Sequence, residues 1–162
     1  MILMKRLFDA HFHVIDPRFP LVPNQGYLPD RYTVNDYLER LQDYELCGGA
    51  IISGSFQAFD QDYLIDALAR LGPGYVGVSQ LPATTPDQEI LDLDRAGVRG
   101  VRFNLKRGGS EDISELDRLP SLSGVQSFRL GMLTARLISS IYFRKPRPPC
   151  LAEPARTTVR SQ

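Results

Sequence analysis

Short apolar runs alternate with longer amphipathic stretches between Leu3 and Leu105. This alternation is typical of β-α-β units, in which each helix returns the chain to the same end of a parallel sheet. One run, Gly-Ala-Ile-Ile-Ser, is short and flanked by small residues, which favours a strand buried on both faces. The runs predict four strands, at Arg6–Ala10, Gly49–Ser53, Tyr75–Leu81 and Val98–Leu105.

The amphipathic stretches predict three helices between these strands. Each places apolar side chains at helical spacing and is followed by a glycine that stops it. Thr33 and Thr85 are suited to cap the first and third helices, because a hydroxyl can accept a hydrogen bond from the first turn. The expected helices are Val34 to Tyr44, Asp60 or Gln61 to Leu71, and Thr85 or Pro86 to Ala96.

The composition changes near Leu119. Residues 1–119 carry 12 Lys+Arg against 18 Asp+Glu, whereas residues 120–162 carry 7 against 1, so an acidic body precedes a basic end. Within that end, Gln126 to Phe143 has the apolar content of a helix, and the Pro- and Arg-rich residues from Arg144 onward predict disorder. The sequence therefore predicts a partial α/β unit over 1–119 and a basic tail, part helical and part disordered, over 120–162.

The only two histidines, His11 and His13, lie at the end of the first predicted strand. Residues two apart in a strand project from the same face, so both imidazoles can approach one metal ion. In α/β barrels, which are built from such β-α-β units, active sites form at the carboxyl ends of the strands. Two histidines fill only part of a catalytic zinc site, which takes three protein ligands and a water. The alternative is a chance pair or a local hydrogen-bonding device.

Other polar residues fall near the ends of the later predicted strands. Arg102 and Asn104 share one face of the fourth strand, where a guanidinium and an amide suit a carboxylate or carbonyl substrate. A structural ion pair inside the barrel is the alternative for Arg102. A Pro-rich loop at residues 17–29 follows the first strand, and long loops on such scaffolds are usually functional. Three further pocket residues are suggested by position only, with a structural role favoured for each: Ser53, Ser55 and Gln80.

Three segments resemble the amidohydrolase-related (amidohydrolase 2) metal-dependent hydrolases, which include 2-pyrone-4,6-dicarboxylate hydrolase and lactonase-like members. The segments are Phe-Asp-Ala-His-Phe-His-Val-Ile-Asp at 8–16, Tyr-Val-Gly-Val-Ser at 75–79, and Ala-Gly-Val-Arg-Gly-Val-Arg-Phe-Asn-Leu at 96–105. The resemblance covers about the first 119 residues. It implies the N-terminal half of a (β/α)8 barrel that hydrolyses a lactone, amide or similar bond, or in some members decarboxylates.

The same resemblance implies a divalent metal, zinc or similar, at His11 and His13, and a small-molecule substrate. The family also expects histidines after the fifth and sixth strands and an aspartate after the eighth. Here no histidine follows His13 and no aspartate follows Asp117. We therefore expect a truncated member that is inactive alone, and hypothesise a frameshift or premature end near Leu119. The alternatives are a noncatalytic binding or interaction module and a dimeric barrel enzyme with four histidines.

Other features exclude broader classes of protein. Cys47 and Cys150 lie too far apart to indicate a disulfide framework or a thiolate zinc site. No apolar run is long enough to cross a bilayer, and the N-terminus does not resemble a secretion signal. The basic tail lacks a nucleic-acid recognition module. We expect a cytoplasmic protein that binds neither nucleic acid nor membrane and that self-associates through the open sheet edges of a half-barrel.

Overall fold

A computed structural model describes residues 4–82, 84–104 and 139–143 of the chain. These residues form one five-stranded sheet, in which the strands lie side by side in chain order. The first four strands are parallel, and the fifth runs antiparallel to the fourth. The strands are β1 (Lys5–Phe12), β2 (Tyr44–Ile52), β3 (Tyr75–Ser79), β4 (Val98–Asn104) and β5 (Ser139–Phe143).

Three helices connect the parallel strands. They are α1 (Val34–Arg40), α2 (Asp62–Leu71) and α3 (Asp87–Arg95), and a short 3-10 helix, Ser55–Gln57, precedes α2. The predicted alternation of four parallel strands with helices is thus confirmed, and the arrangement is that of a half-barrel. Among the described residues, no helix has the length and apolar character that crossing a membrane requires.

The predicted helix cap is confirmed for α1 and is wrong for α3. Thr33 caps α1 in a capping box, because its hydroxyl accepts from the Asp36 amide while the Asp36 carboxylate accepts from the Thr33 amide. Thr85 does not cap α3, contrary to the prediction. Its hydroxyl donates to the Pro82 carbonyl over 2.7 Å, and Pro86 takes the N-cap position without a side-chain hydrogen bond.

The parallel strands have two differently occupied faces. Phe12 and Ile51 belong to the main core beneath the helices, where the ring of Phe12 stacks on Tyr37 of α1 with centroids 4.0 Å apart. Ala50, Ile52 and Val78 form a separate buried cluster. Since side chains alternate along a strand, that second cluster marks the inner face of the half-barrel, the one turned away from the helices.

A register shift between β3 and β4 determines which β4 side chains reach the inner face. Gly77 pairs with Val98, but Val78 pairs with Gly100, so Arg99 is the extra residue of a bulge. The guanidinium of Arg99 binds the carboxylate of Asp94 on α3 over 2.9 Å, on the helix side of the sheet. Alternation from Gly100 then places Arg102 on the same inner face as Val78.

The residues Ser139–Phe143 form a strand, whereas the sequence predicted that they end a helix beginning at Gln126. β5 pairs along β4 from Gly100 opposite Phe143 to Asn104 opposite Ser139. Ile, Tyr and Phe favour extended structure, and the unpaired edge of β4 offers them a full row of hydrogen-bonding partners. The β4 edge that we expected to be open is therefore covered. The remainder of the predicted helix, and the tail from Arg144, lie outside the described residues.

Candidate functional site

The two histidines lie together at the carboxyl end of β1. Phe12 between them faces the helices, so alternation turns both imidazoles toward the inner face. Their ring centroids are 5.1 Å apart and the rings are almost perpendicular. His11 is exposed and His13 is half-buried. The pair therefore presents ring nitrogens toward one region at the rim of the sheet.

A neighbouring strand orients the ring of His13. Its Nδ1 atom lies 2.6 Å from the Ile52 carbonyl oxygen at the end of β2. A carbonyl can only accept, so Nδ1 carries the proton and Nε2 keeps its lone pair. Proteins commonly fix the orientation of a metal-ligating histidine in this way, by binding its other ring N–H to a carbonyl or carboxylate oxygen.

Both imidazoles are biased toward the neutral form. Burial lowers the pKa of His13, an effect that the hydrogen bond to Ile52 only partly offsets, and the positive charges of His11 and Arg102 lower it further. His11 is exposed as a residue, but the partial burial of its ring is also the main cause that lowers its pKa, with the charge of Arg102 adding to this effect and that of Asp9 opposing it. Near pH 7 the rings are therefore available as lone-pair donors.

Arg102 projects over the inner face from β4. Its Nη1 atom donates to the Ser53 carbonyl oxygen, 2.8 Å away beyond β2, so the guanidinium spans the end of the intervening strand β3. Its Nε atom is buried and has no hydrogen-bond partner in the described part of the chain. Burial lowers the pKa of Arg102. An internal ion pair, the structural alternative, is not seen among residues 4–82, 84–104 and 139–143.

Asn104, the second predicted substrate-binding residue, is the last residue of β4. Its side chain lies outside the described part of the structure. Its backbone pairs with Ser139 of β5. Its role in binding stays a prediction.

Two of the three pocket residues suggested by position have structural partners. The Ser53 hydroxyl is 2.6 Å from the Tyr63 hydroxyl on α2, and the Ser55 hydroxyl accepts from Asn24 over 2.5 Å. Gln80 differs from them. Its side chain is only 6% exposed, yet its Oε1 atom has no hydrogen-bond partner among the described residues.

One aromatic ring, that of Phe56, lies beside His13. The ring of Phe56, in the 3-10 helix after β2, lies edge-on to the His13 ring with centroids 5.9 Å apart. Sequence reasoning missed Phe56, because a single aromatic in a short connection carries no periodic signal. The signal that was present is its position, three residues after the end of the predicted strand Gly49–Ser53, at the rim where such sites form.

The irregular loop after β1 is hydrogen-bonded to the 3-10 helix that carries Phe56. Its base is closed by Ile15 and Tyr32, whose backbones exchange hydrogen bonds of 2.8 and 2.9 Å. Farther along, the Val22 amide donates to the Phe56 carbonyl over 2.8 Å. The loop at residues 17–29 is therefore held against the 3-10 helix that carries Phe56.

The donor set fits part of a metal site. Neutral imidazole nitrogens suit zinc and related divalent ions, and the fixed tautomer of His13 leaves Nε2 for coordination. No group of three or more His, Cys, Asp or Glu side chains in the described residues is arranged to hold a metal ion. His11 and His13 could therefore supply two of the three protein ligands that a catalytic zinc site needs.

Comparison with known proteins gives a consistent result. The sequence profile of the amidohydrolase family matches residues 8–122. The 4-sulfomuconolactone hydrolase of Rhizobium radiobacter is 30% identical over 61% of this chain and 34% of its own length. The 2-pyrone-4,6-dicarboxylate hydrolase of Comamonas testosteroni is 29% identical over 72% of this chain and 38% of its own length.

A structural comparison supports the same relationship. A ligand-free crystal structure of an Agrobacterium tumefaciens protein matches with a TM-score of 0.62 and 25% identity. That match covers 72% of this chain and 43% of the other. The chain spans 34% and 38% of the lengths of the two curated relatives.

Proposed function

Because the chain belongs to the amidohydrolase family, we propose that His11, His13 and Arg102 form part of a site that hydrolyses a lactone, amide or related bond in a small carboxylate-bearing molecule. The observation that carries this proposal is their convergence. A histidine pair with centroids 5.1 Å apart lies at the end of β1, and the Arg102 charge is near enough to lower the pKa of both rings.

Each of these residues has a distinct task in the proposed site. His11 and His13 would hold a divalent metal, which when bound supplies a Lewis acid that activates water or polarises a carbonyl. The hydrogen bond from His13 to Ile52 keeps the ring in one orientation and one tautomer. Phe56 shields one side of that ring from water.

Arg102 supplies the means of holding the substrate. Its Nη1 atom is anchored on the Ser53 carbonyl, which fixes the direction of the guanidinium, while Nε remains without a partner in the described structure. A buried guanidinium that lacks a carboxylate partner is costly unless a ligand provides one. A substrate carboxylate would complete the pairing with charge-assisted hydrogen bonds.

A catalytic zinc takes three protein ligands, and His11 and His13 are the only histidines in the 162 residues. We infer that hydrolysis requires ligands in addition to the two imidazoles. A second copy could supply two more histidines if two half-barrels closed on each other. The pairing of β5 with β4 disfavours that closure, because it occupies an edge that the second copy would need. The second candidate function is therefore a noncatalytic module that binds a carboxylate through Arg102.

Binding and turnover of 2-pyrone-4,6-dicarboxylate, followed by its absorbance in the presence of zinc, test the proposal. We expect saturable binding by the full chain and a loss of at least about tenfold in affinity in Arg102→Met, since a charge-assisted hydrogen bond to carboxylate contributes about 1.5–3 kcal/mol. Arg31→Met, which removes an exposed arginine paired with Asp36, is the matched control and should bind normally.

The two candidate functions differ in turnover. Zinc-dependent turnover that His13→Ala abolishes would establish the hydrolase, whereas binding without turnover would favour the noncatalytic module. Unchanged binding in Arg102→Met would contradict both.

A further inference from the structure

Two buried polar atoms of opposite kind lack partners on the inner face of the half-barrel. The Oε1 atom of Gln80 can only accept a hydrogen bond, and the Nε atom of Arg102 can only donate one. Neither has a partner among the described residues, and Gln80 is 94% buried, being 6% exposed. Buried polar atoms without partners are rare, because each costs the free energy of its lost hydration.

The register of the sheet brings these two residues side by side. Val78 pairs with Gly100 and Ser79, the last residue of β3, pairs with Val101, so continuing this register one residue beyond the strand sets Gln80 opposite Arg102. Alternation from Val78 and from Gly100 places both side chains on the inner face. Arg102 also reaches across the end of β3 to the Ser53 carbonyl, and its guanidinium therefore passes over the position of Gln80.

Arg102 is held through its side chain and Gln80 through its backbone. Nη1 of Arg102 donates to the Ser53 carbonyl oxygen, and the backbone carbonyl oxygen of Gln80 accepts from the Gln61 side-chain amide over 2.9 Å. These anchors fix the two residues, but they leave Nε of Arg102 and Oε1 of Gln80 directed at no protein group in the described structure. A ligand that satisfies both must offer an acceptor to Arg102 and a hydrogen-bond donor to Gln80.

We propose that Gln80 is a specificity-determining residue that accepts a hydrogen bond from a hydroxyl group next to the carboxylate held by Arg102. The preferred ligand class is thus a 2-hydroxycarboxylate or the ring-opened product of a lactone that carries one. This inference rests on the proposed function, because it assumes that Arg102 binds a carboxylate. A site built to pair a substrate hydroxyl discriminates against the analogue that lacks it, since Oε1 is then left buried and unpaired.

Calorimetric titration of the full chain with malate and with succinate tests the proposal, because the two dicarboxylates differ by one hydroxyl. We expect one malate enantiomer to bind about 2- to 10-fold more tightly than succinate, the range for one neutral hydrogen bond. Gln80→Met keeps the length of the side chain but cannot accept. It should remove the preference for malate over succinate. The exposed Gln42→Met is the matched control and should retain the preference.

A second variant keeps the test valid if Gln80→Met lowers stability. Gln80→Glu preserves shape and places a carboxylate opposite Arg102, so it should form an ion pair and weaken the binding of both probes. Equal affinity of malate and succinate for the unaltered chain, or a preference that survives both Gln80 variants, would overturn the role of Gln80. In that case sensitivity to Arg102→Met would still support the carboxylate site. Failure of both probes to bind would overturn the carboxylate site and the role of Gln80 together.

Discussion

The Nδ1 atom of His13 donates a hydrogen bond to the carbonyl oxygen of Ile52 over 2.6 Å. A residue after β1 is thereby oriented by the last residue of β2, its neighbour in the sheet. The geometry of the histidine pair therefore depends on correct packing of these two strands, and not only on the local sequence around His11.

The first prediction concerns the pH at which His11 and His13 take up protons. Burial lowers both pKa values below the ordinary value of 6.5, so the unfolded chain takes up protons before the folded chain does as the pH falls. Stability should accordingly decrease as the pH is lowered from about 6.5 toward the folded-state values. Nuclear magnetic resonance should resolve two histidine titrations in the metal-free protein, both with midpoints below 6.5. A midpoint at or above 6.5 for His13 would contradict the buried environment described here.

The second prediction concerns the stability of the fold where β2 closely approaches the turn before β3. Gly48 has a φ of +136°, and a Cβ atom at this position would overlap the Gly74 carbonyl oxygen. Gly48→Ala should therefore destabilise the fold by about 3 kcal/mol or more, from strained backbone and steric overlap together. Gly26→Ala is the matched control, because Gly26 has a φ of +80° but no atom within 4 Å of the added Cβ.

Gly26→Ala should cost only about 1–2 kcal/mol, the penalty of the left-handed conformation alone. Urea unfolding of both variants gives the comparison. Equal losses of unfolding free energy would mean that the contact between Gly48 and Gly74 does not constrain the strands.

The third prediction concerns the effect of the Phe56 ring on the pKa of His13. Removing the ring in Phe56→Ala admits water to that side of the imidazole, so the pKa of His13 should rise toward 6.5. Phe59→Ala is the control, since Phe59 is 36% exposed in the same connection. Histidine titrations of the two variants should differ at His13 only in Phe56→Ala. An unchanged His13 midpoint in Phe56→Ala would show that the ring does not shield it.

The sequence predicted those features that depend on local periodicity and capping. The four parallel strands follow from apolar runs separated by amphipathic stretches, and the cap of α1 follows from the hydroxyl of Thr33 just before the helical pattern begins. The boundaries of β2 were less accessible. Its first residue, Tyr44, was assigned to the preceding helix because it continues the helical spacing, and residues 45–48 were assigned to neither element, but pairing with β1 makes them extended.

Features that depend on distant residues could not be predicted in the same way. β5 pairs with β4 across more than 30 intervening residues, and the apolar residues at 139–143 fit a helical pattern as well as an extended one. The inner-face position of Arg102 was predicted by alternation within β4. Its anchor on the Ser53 carbonyl and its position next to Gln80 depend on the register between strands, which no local pattern fixes.

The central claim is that His11 and His13 bind one metal ion between them. Calorimetric titration of the metal-free full chain with zinc at pH 7.5 tests it most directly, with His11→Ala and His13→Ala as variants. We predict one ion per chain, with affinity reduced at least about tenfold in each variant, in line with the loss of a ligand or its orienting partner. Absence of zinc binding, or binding that both variants retain in full, would contradict the claim.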